Sequence, residues 1–259
     1  MTLAERLRSP LLDERRGAIA EIAARERVDA NELGALVACL GDAAKAVQRP
    51  AAEACRTLAA RGVGVEPLLI AALDAGDARL RFGAAYALGR LGVPPARTLP
   101  ALLAALALDD GDIRWAAAET LCRVEPRAAT VEALLPLVRT GNPPQRKMAL
   151  YCLRDIATPD IAIDEAALAA LDDPDLGVRL AAMTTSARLS QDRPRVAERL
   201  LRSLTAADAR EQRAAAAALG DLGVRSEPVR TALEAAAAAA DPSLSRAAKR
   251  TLRKLDEPA

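Results

Sequence analysis

The sequence predicts an all-α, right-handed α-solenoid (a superhelix) of about eight helix pairs. Three observations predict it. A short motif recurs with a period near 33 residues along nearly the whole chain of 259 residues. Hydrophobic residues make up 51% of the chain but aromatics only 2%, so the apolar content is mostly Ala, Leu and Val, which suits thin helices packed closely. Gly and Pro gather between the repeated units, which alternates helix with short turn.

The clearest copies of the motif run Asp77-Ala-Arg-Leu-Arg81-Phe-Gly-Ala84, Asp110-Gly-Asp-Ile-Arg114-Trp-Ala-Ala117, Asn142-Pro-Pro-Gln-Arg146-Lys-Met-Ala149 and Asp175-Leu-Gly-Val-Arg179-Leu-Ala-Ala182. The pattern is D-x-x-x-R-x-x-A-x-x-x-L. Weaker copies place Arg15, Ala18 and Ile22 in one unit, and Ala51, Ala54 and Leu58 in the next. Two more place Gln212, Ala215 and Leu219 together, then Ser245, Ala248 and Leu252. The register alanines are thus 18, 54, 84, 117, 149, 182, 215 and 248, with spacings of 36, 30, 33, 32, 33, 33 and 33.

Each residue type has a local reason. Asp or Asn before the helix is an N-cap signal, and Pro fits the first turn. Apolar residues follow at Arg+3, +4 and +7, the spacing of one helix face. A small Ala at +3 lets a neighbouring helix approach closely. Each motif helix is preceded by another apolar helix, as in Glu66–Leu73, Leu99–Leu106, Thr130–Val138, Asp164–Leu171 and Val196–Leu204. Breakers separate the units: Gly89 and Gly92 before Pro94-Pro95, then Pro126, Pro159, and Gly220 with Gly223. The expected organisation is one domain over 1–259, with repeats near 1–29, 30–62, 63–93, 94–127, 128–159, 160–192, 193–224 and 225–256.

A 33-residue period also fits ankyrin and tetratricopeptide arrays, but their T-P-L-H and W-x-x-L-G-x-x-Y patterns are absent. The motif instead resembles HEAT repeats, specifically the short kind of phycobilin lyase subunits and deoxyhypusine hydroxylase. The resemblance implies fold and not function. It implies a ladder between adjacent repeats in which Asp77/Arg81, Asp110/Arg114, Asn142/Arg146 and Asp175/Arg179 take part. Ala51, Gln212 and Ser245 replace the Arg elsewhere, so the ladder is expected to form best in the middle. In the hydroxylase, His-Glu pairs after the repeat Arg bind iron on the concave surface. Here those positions hold Phe82-Gly83, Trp115-Ala116, Lys147-Met148 and Leu180-Ala181, so that activity does not carry over.

Composition excludes most chemistry. The chain has no His, which removes His-based triads and His-ligated metals. No G-x-S-x-G and no phosphate-binding G-x-x-x-x-G-K-[ST] occurs. The acidic runs Asp109-Asp110-Gly111-Asp112 and Asp172-Asp173-Pro174-Asp175 read as caps on repeat turns, since neither fits a calcium loop. Cys39, Cys55, Cys122 and Cys152 form no C-x-x-C pair and read as buried thiols. The N-terminus has no apolar signal core and no run of 18 uncharged apolar residues exists, so a cytoplasmic protein is expected. No catalytic residue, cofactor or metal is expected.

The aromatics are informative. Phe82 and Trp115 stand at Arg+1, and Tyr86 and Tyr151 at Arg+5. These positions lie one turn apart on one face, away from the packing face. Glu119 and Lys147 share that stripe, and Arg90, Arg123 and Arg188 follow at +9. The expected partner-binding stripe on the concave surface is therefore Phe82, Tyr86, Trp115, Glu119, Lys147 and Tyr151. A second basic face is expected at Arg188, Arg195, Arg199 and Arg202. The basic run at the last helix, Arg246 to Lys254, reads as a solvated cap.

The function expected is a non-catalytic protein-interaction scaffold or assembly factor binding another protein or peptide. Two alternatives stand beside it. One is a lyase or chaperone for a bilin-type chromophore, by the resemblance to lyase subunits. The other is nucleic-acid binding, as in HEAT-like alkylpurine DNA glycosylases, against which the net charge of +1 argues. No membrane partner is expected, and a small-molecule ligand stays compatible with the sequence.

Overall fold

The computed structural model describes residues 1–93, 95–158 and 160–257; the expected breakers Pro94 and Pro159 lie outside the described residues. The chain divides into two compact units, Met1–Pro126 and Arg127–Ala259. The first holds four helix pairs: α1 (Leu3–Leu7) with α2 (Leu12–Ala24), α3 (Ala30–Ala38) with α4 (Lys45–Ala60), α5 (Glu66–Ala72) with α6 (Ala78–Arg90), and α7 (Pro95–Ala105) with α8 (Gly111–Leu121). The second holds four more: α9 (Arg127–Thr140) with α10 (Pro143–Ile156), α11 (Ile161–Ala169) with α12 (Leu176–Leu189), α13 (Arg193–Ser203) with α14 (Ala209–Leu222), and α15 (Glu227–Ala237) with α16 (Pro242–Asp256). No strand occurs among the described residues. In the first unit α2, α4, α6 and α8 pack in sequence as one layer; in the second α10, α12, α14 and α16 do the same.

The register alanines lie in these layers, and their burial explains the motif. Ala18, Ala84, Ala117, Ala149, Ala182, Ala215 and Ala248 are fully buried. A methyl is the largest group such a helix contact tolerates without moving the helices apart. Gly83 goes further: a Cβ there would run into the Leu40 carbonyl oxygen, so α6 sits directly against the turn that joins α3 to α4.

The motif Asp and Arg do different work from the expected ladder. The Asp or Asn caps its own helix: Asp77 accepts from the Arg79 amide at 2.9 Å, Asn142 from Gln145 at 2.9 Å and Asp175 from Val178 at 3.0 Å. Each such cap stabilises by about 1 kcal/mol. The Arg folds back across the turn. Its guanidinium donates to carbonyls six and five residues earlier, as Arg15 does to Ser9 and Pro10, Arg81 to Ala75 and Gly76, and Arg179 to Asp173 and Pro174. These carbonyls belong to the turn that joins the two helices of each pair, beyond the end of the first helix. Some of these arginines also reach an acid of the next repeat: Arg15 to Asp42, Arg146 to Asp173 and Arg179 to Glu211, each at 2.7 Å. The inter-repeat rungs are therefore Arg to a later acid, and one of them stands in the first repeat, so they are not concentrated in the middle.

The same hydrogen bond corrects the register of the second repeat. Gln48 donates through Nε2 to the Asp42 carbonyl, and Gln212 to the Ala206 carbonyl, both six residues back. Gln48, not Ala51, thus holds the arginine position, and the register alanine is Ala51, fully buried. Ala18 to Ala51 and Ala51 to Ala84 are then each 33 residues, and the apparent irregularity disappears. Of the glycine breakers, Gly92 and Gly223 take the left-handed conformation, at φ +80° and +74°, and end α6 and α14 there.

Overpacking one contact tests the register: Ala117→Leu should cost about 1–3 kcal/mol, read as a lower denaturation midpoint. A second test uses pH. Burial would raise the Asp173 carboxyl, but the hydrogen bonds from Arg146 and the Asp175 amide outweigh it and hold it below the ordinary 3.8. Its contribution is therefore complete above that value and disappears as pH falls through the lower folded value. Asp173→Asn should lower the urea midpoint at pH 7, and the gap from wild type should close as the pH is taken below 3.8.

Candidate functional site

The first unit contains a groove of about 480 Å³ whose floor is α6 and whose walls are α4 and α8. The corrected register explains its composition. Arg49, Phe82 and Trp115 are 33 residues apart and occupy one position in three successive repeats. One turn further along each helix stand Glu53, Tyr86 and Glu119. Helices stacked in parallel bring equivalent positions into rows, so one wall offers a guanidinium, the floor a phenyl and a phenol, and the other wall an indole.

Exposure divides these rings. Phe82 is 7% exposed and forms the bottom of the groove, tilted against Tyr86 with ring centroids 6.2 Å apart. Tyr86 is half-buried, with the Arg90 guanidinium 5.9 Å from its ring. Trp115 is 53% exposed, a large apolar side chain left at the surface where packing did not require it. Ala52, Ile113 and Leu40 complete the apolar lining.

Charge in the groove is largely self-compensated. Lys45 on α4 pairs with Asp112 on α8. Arg123 pairs with Glu119 at 2.6 Å, and Glu53 takes both Arg56 and Arg90. The Arg56 guanidinium holds the Glu53 carboxyl below the usual carboxylate range. Arg49 differs: it is exposed and makes no ion pair among the described residues.

The groove gathers four of the six expected stripe residues, Phe82, Tyr86, Trp115 and Glu119. Lys147 and Tyr151 lie on α10 in the second unit, where the Tyr151 ring is flanked by Lys147 at 5.9 Å and Arg154 at 4.8 Å. The expected basic face also divides. Arg188 is exposed on α12, whereas Arg195, Arg199 and Arg202 lie on α13 and pair with Glu165, Asp172 and Glu198. Little net charge is left on that helix. Sequence reasoning missed Lys45, Arg49 and Asp112; Arg49 was legible as the residue 33 before Phe82 once the second repeat was aligned.

The acidic turns act as caps only in part, since Asp112 pairs with Lys45. Asp110 caps α8, Asp173 and Asp172 pair with arginines and Asp175 caps α12. Cys39, Cys55 and Cys152 are buried and Cys122 is half-buried, and none of the four forms a disulfide among the described residues. Burial pushes the Cys39 thiol up to about 11 and the Cys55 thiol up to about 12, far from the range in which a thiolate reacts.

The family model for HEAT repeats matches residues 34–122 and 99–183, more than half of the chain. No curated protein matches. Solved structures do. The chain is 15% identical to importin beta with a TM-score of 0.61, covering 99% of this chain and 41% of that one. It is 15% identical to the archaeal HEAT-like repeats protein of Thermococcus onnurineus NA1, with a TM-score of 0.54, covering 89% and 98% respectively. At 24% identity to the complex of CpcE and CpcF of phycocyanin lyase from Nostoc sp. PCC7120, covering 98% and 87%, the TM-score is only 0.37. The first two likenesses speak to fold alone; the third carries no argument. No helix among the described residues is long and apolar enough to cross a membrane.

Because Trp115 is the one tryptophan of the chain, its emission reports this groove alone. With 53% of it exposed, acrylamide should quench native emission nearly as well as in urea. Strong native protection would contradict an open groove.

Proposed function

Because the chain belongs to the HEAT-repeat family, we propose that it is a non-catalytic interaction scaffold or assembly factor that binds a partner protein or peptide in the α4–α6–α8 groove. One observation carries this reading: Trp115 stands 53% exposed on the wall of a groove floored by Phe82 and Tyr86. Rings held by a rigid scaffold lose little conformational entropy on binding, and recognition sites favour Trp and Tyr for that reason. The volume, about 480 Å³, suits a short segment of a partner rather than a broad flat contact. Because Phe82 is buried and Trp115 is not, Phe82 sets the shape of the site while Trp115 supplies contact area. Lys147 and Tyr151, on α10 of the second unit, engage each other as cation and ring. Four cysteines with no disulfide among the described residues suit a reducing cytoplasm, where we place the protein.

The test separates binding from folding. Trp115→Ala removes an exposed ring, so its unfolding free energy should change by less than about 1 kcal/mol. Partner proteins captured from host lysate by wild type should be lost with Trp115→Ala. Capture of the same proteins by the variant would place the binding surface elsewhere.

A further inference from the structure

We infer that the occupant of this groove is an acidic peptide segment that seats an apolar anchor against Phe82 and Trp115 and sets an Asp or Glu carboxylate on Arg49. The inference rests on the reading of the groove as a binding site and adds the chemistry of its partner.

Charge complementarity carries it. The groove is lined by three cations, Lys45, Arg49 and Arg123, and two carboxylates, Asp112 and Glu119. Lys45 and Asp112 neutralise each other across the walls, and Arg123 and Glu119 do so along one helix. The remaining charge is the guanidinium of Arg49. An occupant that presented a cation here would meet only carboxylates already held by arginine or lysine. An occupant that presented a carboxylate would meet a planar, two-pronged donor with no ion pair to break.

Geometry fixes where the two halves of the ligand sit. Arg49, Phe82 and Trp115 form one row across the groove, from wall to floor to wall. The anchor and the carboxylate must therefore lie close together along the partner, within about two residues in an extended strand at ~3.3 Å per residue. The Lys45–Asp112 bridge joins the first turns of the two walls, α4 and α8. One turn further along the helices, Tyr86 and Glu119 line the groove, the Glu119 carboxylate held by Arg123. The groove's volume of about 480 Å³ fits a short segment or a protruding loop.

Selection of a random heptapeptide library on the full chain tests this, with Trp115→Ala as the background control. The expected result is enrichment of peptides with Phe, Leu, Ile or Met within two residues of Asp or Glu. A synthetic peptide from the set, without Trp, should shift Trp115 emission saturably. Its affinity should fall about tenfold or more with Arg49→Ala, the size expected for losing a charge-assisted hydrogen bond. The Asn or Gln analogue of that peptide should lose a similar factor on wild type and nothing further on Arg49→Ala. Enrichment of neutral or basic peptides that still need Trp115 would overturn the acidic assignment while leaving the groove as a binding site. Peptides bound equally by wild type and Trp115→Ala, or no enrichment over that control, would overturn the groove reading itself, and this inference with it.

Discussion

Everything in this molecule depends on how closely neighbouring helices approach at one small residue per repeat. The motif alanine is fully buried in every repeat, and at Gly83 even a methyl would collide with the Leu40 carbonyl. That contact sets the spacing between α4, α6 and α8, and so the width of the groove between the outer two. The caps and the returning arginines then fix where each helix begins. Leu and Val fill the space left over. Ring side chains have no place in such thin contacts, which is why the chain carries so few and why their position on α6 and α8 is informative.

The fold was legible because it is written eight times. A repeat needs only a marker residue, and Ala at a fixed offset is enough to count helices and to place turns. The second repeat shows where that legibility ends. Gln48 stands where an arginine marks the other repeats, and Ala51, Ala52 and Ala54 offer two alignments of nearly equal quality. Pattern cannot choose between them, but a hydrogen bond to a carbonyl six residues back can. The cost of the wrong alignment fell on function: it moved Arg49 out of the row of Phe82 and Trp115.

The candidate site was legible in part. Helical spacing put the four aromatics on one face, and three of them do line the groove. Spacing could not tell which would be covered. Phe82 is buried while Trp115, at the equivalent position one repeat later, is not. It did place Lys147 and Arg154 beside Tyr151, four residues before it and three after on the same helix. Charge was the least legible quantity. The arginines of α13 look like a basic patch in sequence, yet their acids come from other turns of the fold. A run of cations becomes a surface potential only where the fold leaves it without acids.

An array of repeats is usually a chain of nearest neighbours, in which each unit answers only to the ones beside it. The Lys45–Asp112 pair links the second repeat to the fourth and passes over the third. It is solvent-exposed, so its strength is about half a kcal/mol. Even so, it introduces a second-neighbour coupling into a one-dimensional lattice. Loss of order in α4 withdraws support from α8 without passing through α6. The coupling is small, but it joins the two walls of the groove by a route that the nearest-neighbour contacts do not supply.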